Sequence, residues 1–241
     1  MKKLLAVCTL ALVPVLGFAS SEPALDQANI DLRDQASLQR GAKYFTSYCM
    51  GCHSLQYLRY NRMAADLGIS DADLKQNFLV GETKPGEPMT ISTRPADAEK
   101  WFGVAVPDLT LVTRWRSPDW VYTYLKSFYV DPTRAWGVNN VVFPAVSMPH
   151  VLGDLQGRQE PVMAHHGEGT PVIEGVKLVQ PGKLSPEQYD TMVRDITNFL
   201  TYAGEPMQLE RKQLGLYVLL FLILLSVLGY FLKKEYWKDI H

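Results

Sequence analysis

Two long apolar runs bracket a polar stretch, and they divide the chain before any motif is considered. Residues 4–16 are almost wholly apolar, follow Lys2 and Lys3, and lead into the cleavage pattern Gly17-Phe18-Ala19. Residues 1–19 are therefore expected to be an export signal, with Ser20 as the mature start. Near the other end, residues 214–232 form an uncharged run of 19 residues rich in Leu, Val, Ile and Phe. As a helix it spans about 28 Å, enough for the hydrocarbon core of a bilayer. Arg211, Lys212, Lys233 and Lys234 flank it, and Tyr217, Tyr230, Tyr236 and Trp237 fall near its ends, where interfacial aromatics belong. The expected organisation is a signal at 1–19, an exported domain at 20–206, a transmembrane anchor at 207–235 and a cytoplasmic tail at 236–241. That places the exported domain outside the membrane and the tail in the cytoplasm, with a single span between them.

Inside the exported domain the helical period appears in separate pieces. The pattern predicts helices at about 38–48, 55–67 and 71–78. Another starts at Ser117-Pro118-Asp119, with Ser as cap and Pro in the first turn, and carries Trp120, Tyr124 and Phe128 along one side to residue 130. Ser185-Pro186-Glu187-Gln188 has the spacing of a capping box and opens a helix to about Ala203, which Gly204-Glu205-Pro206 then breaks. Residues 81–107 and 131–182 are rich in Gly and Pro and read as irregular chain. The expected fold is all-α, with long loops.

Charge adds little. Residues 20–206 contain 22 Asp plus Glu against 17 Lys plus Arg, a net charge of −5. This mild acidity suits steering of a basic protein partner as well as it suits an ordinary solvated surface, and nothing points to nucleic acid.

The chemistry is concentrated in Cys49-Met50-Gly51-Cys52-His53. C-x-x-C-H is the pattern of covalent c-type haem attachment. Two thiols three residues apart can each add across one porphyrin vinyl group, and the neighbouring imidazole can ligate the iron from below. A disulfide, a thioredoxin-like redox pair or half a zinc site would also use C-x-x-C. A thioredoxin-like site wants a strand before the motif, whereas residues 39–48 read as helix. A zinc site wants further thiolate or imidazole ligands, and there is no second Cys pair. Cys8 lies in the signal, so the mature chain keeps only the two motif thiols. Long loops around a porphyrin then point to a class I cytochrome c-like domain holding one haem c, with His53 as one axial ligand.

The second axial ligand is open among Met50, Met63, Met89, Met148, Met163, Met192 and Met207, or His150, His165 and His166. Met50 lies within the attachment loop, Met63 and Met192 read as helix packing, and Met207 begins the membrane approach. Met148 is favoured because Phe143-Pro144 and Pro149 bound a loop that can close over the opposite haem face. Met163 and the histidines are the alternatives. A Met ligand would favour reduced iron and raise its potential.

Taken together, the chain resembles the cytochrome c1 family. The matching residues are Arg40-Gly41, Cys52-His53-Ser54-Leu55 with Tyr57 and Tyr60, Pro107-Asp108-Leu109, Arg116, Phe143-Pro144 with Met148, Ala203-Gly204-Glu205-Pro206 and the C-terminal anchor. The resemblance implies Cys49 and Cys52 as thioether attachment points and His53 and Met148 as axial ligands. It also implies Pro107 at the haem edge and Arg116, with Arg114 as rival, on a propionate. Trp101-Phe102-Gly103 departs from the Asn-Gly element common before Pro-Asp-Leu, and the interval from Phe143-Pro144 to Met148 is short. The implied function is electron transfer within a quinol–cytochrome c oxidoreductase. Its implied partners are a cytochrome b subunit, a Rieske iron–sulfur protein, a soluble or tethered cytochrome c, and membrane lipid. A different tethered c-type cytochrome, or a haem enzyme such as a peroxidase, would share the motif but not this set.

Overall fold

The structure, a computed structural model, describes residues 24–164 and 172–239. The expected signal and the two histidines His165 and His166 lie outside the described residues. Helix α1 (Gln35–Tyr44) begins where the Asp34 carboxylate accepts from the Ser37 amide, and it runs directly into a π-turn, Phe45–Cys49. The wider π-turn, with the Met50 amide donating to the Phe45 carbonyl, delivers Cys49 to the core.

Helix α8 (Pro186–Gly204) is the central support, and the capping box read at Ser185 and Gln188 is formed at its start. It crosses α1 at close range through Gly41. A Cβ there would sit 2.1 Å from the Asp195 carbonyl oxygen and 2.7 Å from Phe199 Cβ, so glycine is required. Beside this contact, Arg40 grips the buried Asp195 carboxylate through two bonds, 2.6 Å from Nε and 3.0 Å from a terminal nitrogen. Gly41→Ala should therefore destabilise the domain by about 2–3 kcal/mol through overpacking. That lowers the thermal midpoint by about 5–10 °C in a chain of this size. An unchanged midpoint would mean the two helices do not meet there.

The expectation of an all-α domain is corrected by three strand pairs among the described residues, and that of irregular loops by helices within them. The stretch expected as one helix at 55–67 begins as strand β1 (Leu55–Arg59), and only then becomes α2 (Tyr60–Leu67). Its first residues are held extended from both sides. Strand β2 (Pro88–Met89) pairs with it at Leu55 and Arg59, and the Asp108 carboxylate accepts from the Gln56 amide. Helix α3 (Asp71–Asn77) follows as expected, but the supposedly irregular 81–107 also contains α4 (Pro95–Phe102). After a short α5 (Val112–Trp115), helix α6 (Pro118–Lys126) stops before Phe128. Phe128 instead starts β3 (Phe128–Val130), which pairs antiparallel with β4 (Val138–Asn140). A short α7 (Gly153–Gln156) then leads into a longer antiparallel hairpin of β5 (Gly157–Ala164) and β6 (Val172–Pro181). Among the described residues the domain is thus mainly helical, with three two-stranded sheets.

After Pro206 the chain enters α9 (Gln208–Tyr236), a 29-residue helix with a mean hydropathy of 2.5 over its most apolar window. None of its apolar side chains is buried against the other described residues. Its exit is fixed at the domain by Glu205, whose carboxylate takes both Arg114 and Arg211.

Candidate haem-attachment site

The π-turn and the bends after it set the motif's geometry. The amides of Cys52 and His53 both donate to the Cys49 carbonyl, at 3.0 and 2.9 Å, curling the motif back on itself. Cys49 is buried, Cys52 is half-buried, and both are free thiols. Burial, and then the neighbouring Cys52, push the Cys49 thiol up to about 12, so it is held protonated.

The chain 107–110 zips onto 53–57. His53 Nδ1 is 2.8 Å from the Pro107 carbonyl oxygen. The Leu109 amide donates to the Ser54 carbonyl at 2.9 Å, and the Asp108 carboxylate takes the amides of Gln56 and Thr110. A carbonyl can only accept, so His53 places its proton on Nδ1 and leaves the Nε2 lone pair for a metal. Burial lowers the His53 pKa against the raising effect of that same bond, which keeps the ring neutral and able to ligate.

The candidates for the opposite ligand are sorted by their contacts. Met63, Met89 and Met192 are core residues with essentially no exposure. Met50 accepts a hydrogen bond from the Tyr60 hydroxyl at 3.5 Å, and Met207 lies against Arg62. Met163 is an exposed residue of β5, opposite Ile173 of β6. His150 is taken up elsewhere. Its Nε2 is 2.7 Å from the Gln156 side-chain oxygen, and its ring stacks flat on Phe128 at 4.6 Å. Burial drops its pKa to about 4. Met148 is half-buried, and its sulfur accepts from the Tyr124 hydroxyl at 3.3 Å. Sequence reasoning placed Tyr124 on the right helix face but missed this contact, which only the folded loop 141–149 brings about.

Arg116 does not make an ion pair among the described residues. Its guanidinium lies over Trp115 at 4.1 Å, Trp120 at 4.8 Å and Phe143 at 5.9 Å from the ring centroids. Its rival Arg114 is committed to Glu205.

These residues fit a haem c. Two unpaired thiols at C-x-x-C spacing suit the two vinyl groups, and a neutral imidazole nitrogen and a thioether sulfur suit low-spin iron. Among the described residues there is no cluster of three or more His, Cys, Asp or Glu side chains to hold a bare ion. Iron in a porphyrin brings its own four equatorial nitrogens and needs no such cluster.

Comparison with known proteins agrees with this chemistry. A sequence model described as the Cytochrome C1 family matches residues 27–240. Cytochrome c1 of Allochromatium vinosum is 67% identical over 244 residues, covering the whole of both chains. A protein of Nitrosomonas europaea named ammonia monooxygenase gamma subunit is 44% identical over 231 residues, 95% of each chain. Cytochrome c1 of Rhodospirillum rubrum is 28% identical over 248 residues, covering 86% of this chain and 83% of its own.

Proposed function

The chain belongs to the cytochrome c1 family, and from that premise we propose that it is the haem-bearing electron-transfer subunit of a quinol–cytochrome c oxidoreductase. The observation that carries the reading is His53, which gives its Nδ1 proton to the Pro107 carbonyl while its neighbours Cys49 and Cys52 stay unpaired. When bound, haem c supplies a one-electron iron couple. The protein supplies attachment, ligands and position. The thiols of Cys49 and Cys52 would hold the haem covalently, each as a thioether to one vinyl group of the porphyrin. His53 Nε2 and Met148 Sδ would ligate its iron. Pro107 fixes the His53 ring. Arg116, its flat fork supported by aromatic rings, is the group to meet a propionate bidentately.

No residue of this chain makes or breaks a bond in a substrate. The chain accepts one electron from a Rieske iron–sulfur partner and passes it to a soluble or tethered cytochrome c. A cytochrome b subunit and membrane lipid cover α9, whose apolar side chains find no cover among the described residues. The haem domain faces the periplasm, and the tail from residue 236 faces the cytoplasm.

The test is an optical redox spectrum of the tagged chain taken from its native membrane in mild detergent. Haem c together with dithionite-reducible haem b is expected. Haem c alone would overturn the assignment to a quinol-oxidising complex and favour an independent tethered carrier.

A further inference from the structure

The thioether of Met148 does not project from its loop unsupported. Tyr124 rises towards it from α6, four residues after Trp120, and the two rings stack at 5.0 Å with 10° between their planes. Phe128 and Phe143 close on the Tyr124 ring edgewise, at 5.1 and 6.4 Å. With the ring held on three sides, the hydroxyl has a fixed direction, and it ends 3.3 Å from Met148 Sδ.

We propose that Tyr124 is a positioning residue for the axial sulfur, its hydroxyl holding one thioether lone pair so that the other is directed to iron. The inference rests on reading Met148 as a ligand. A thioether has two lone pairs and acts as a weak acceptor. A donor on one of them fixes the configuration at sulfur and withdraws electron density from it. A poorer sulfur donor disfavours ferric iron more than ferrous iron, so the bond raises the potential.

Tyr124→Phe removes one oxygen and leaves the three-sided ring packing in place. It is to be made in the full-length chain and purified with whatever accompanies it. Two readouts report on the sulfur: the midpoint potential, and the long-wavelength absorption that a thioether gives on ferric haem. The expected result is retained covalent haem, a shifted sulfur band, and about a threefold change in the oxidised-to-reduced equilibrium towards ferric. At 59 mV per decade for one electron, that is a fall of about 28 mV. A potential that holds or rises in Tyr124→Phe, with the band unmoved, overturns the proposal. Met148→Ala in parallel separates the two ideas. If it abolishes the band while Tyr124→Phe changes nothing, Met148 is the ligand and Tyr124 does not position it. If Met148→Ala leaves the band intact, the ligand assignment fails and the role of Tyr124 with it.

Discussion

Replacing Cys49 and Cys52 together by Ala is expected to abolish covalent haem completely, so that no haem-stained band survives denaturing electrophoresis. The proposed ligands His53 and Met148 do not depend on either thiol, so haem should still be able to enter the site. Denaturation destroys coordination but not a thioether, and this makes the gel the deciding measurement. The single variants grade the effect, because each leaves one thioether. Cys49 sits buried at the end of the π-turn and Cys52 half-buried three residues on. Losing the buried one should therefore reduce the yield of assembled protein more. A stained band in the double variant would place the attachment elsewhere and remove the basis for reading 49–53 as the site. Ala removes a single heavy atom at each position, so the cavity left at buried Cys49 is small.

The sequence made the chemistry more legible than the architecture. Cys49, Cys52 and His53 are adjacent in the chain, so a local pattern suffices to find them, and the capping residues Ser185 and Gln188 were readable for the same reason. Strand β1 was not readable. Leu55 and Leu58 are both buried with helix-like spacing, and their extension depends on Met89 and Asp108, far away in sequence. The β5–β6 hairpin was hidden differently. In β5 the alternation of faces runs only from Gly157 to Val162 before a register shift breaks it, and the strands are only partly covered, so little of a period of two shows in their composition. At the site, Trp120 and Tyr124 were placed on one face by their spacing. The partner of the Tyr124 hydroxyl depends on where residues 141–149 fold, which no local signal states.

Arg116 shows how a sequence-level role and a structural contact combine. The resemblance implied a propionate partner, and the structure places the guanidinium on an aromatic platform instead of on a carboxylate of the chain. The two are compatible. Stacking uses the faces of the guanidinium, while bidentate pairing uses its edge. Arg114, two residues earlier on the other side of Trp115, spends its charge on Glu205 and so steadies the entry into α9.

The second large effect is expected at Met148. Changing it to Leu keeps a side chain of similar volume and removes the sulfur, so packing against Tyr124 persists while the donor is lost. Axial ligand identity tunes haem potentials over roughly 0.8 V, and Met raises them relative to ligands that favour ferric iron. The potential of Met148→Leu should therefore fall by something on the order of 0.1 V, within that range. The vacated position should also bind carbon monoxide in the reduced protein, whereas the unaltered protein should not. The alternatives predict otherwise. Were Met163 the ligand, its exposed place on β5 would have to swing onto the haem, and Met148→Leu would leave both potential and carbon monoxide affinity unchanged. Were His150 the ligand, it would have to give up its bond to Gln156 and its stack on Phe128. A protein that already binds carbon monoxide before any change would have an open iron, and would have to be read as an enzyme of small molecules rather than as an electron carrier.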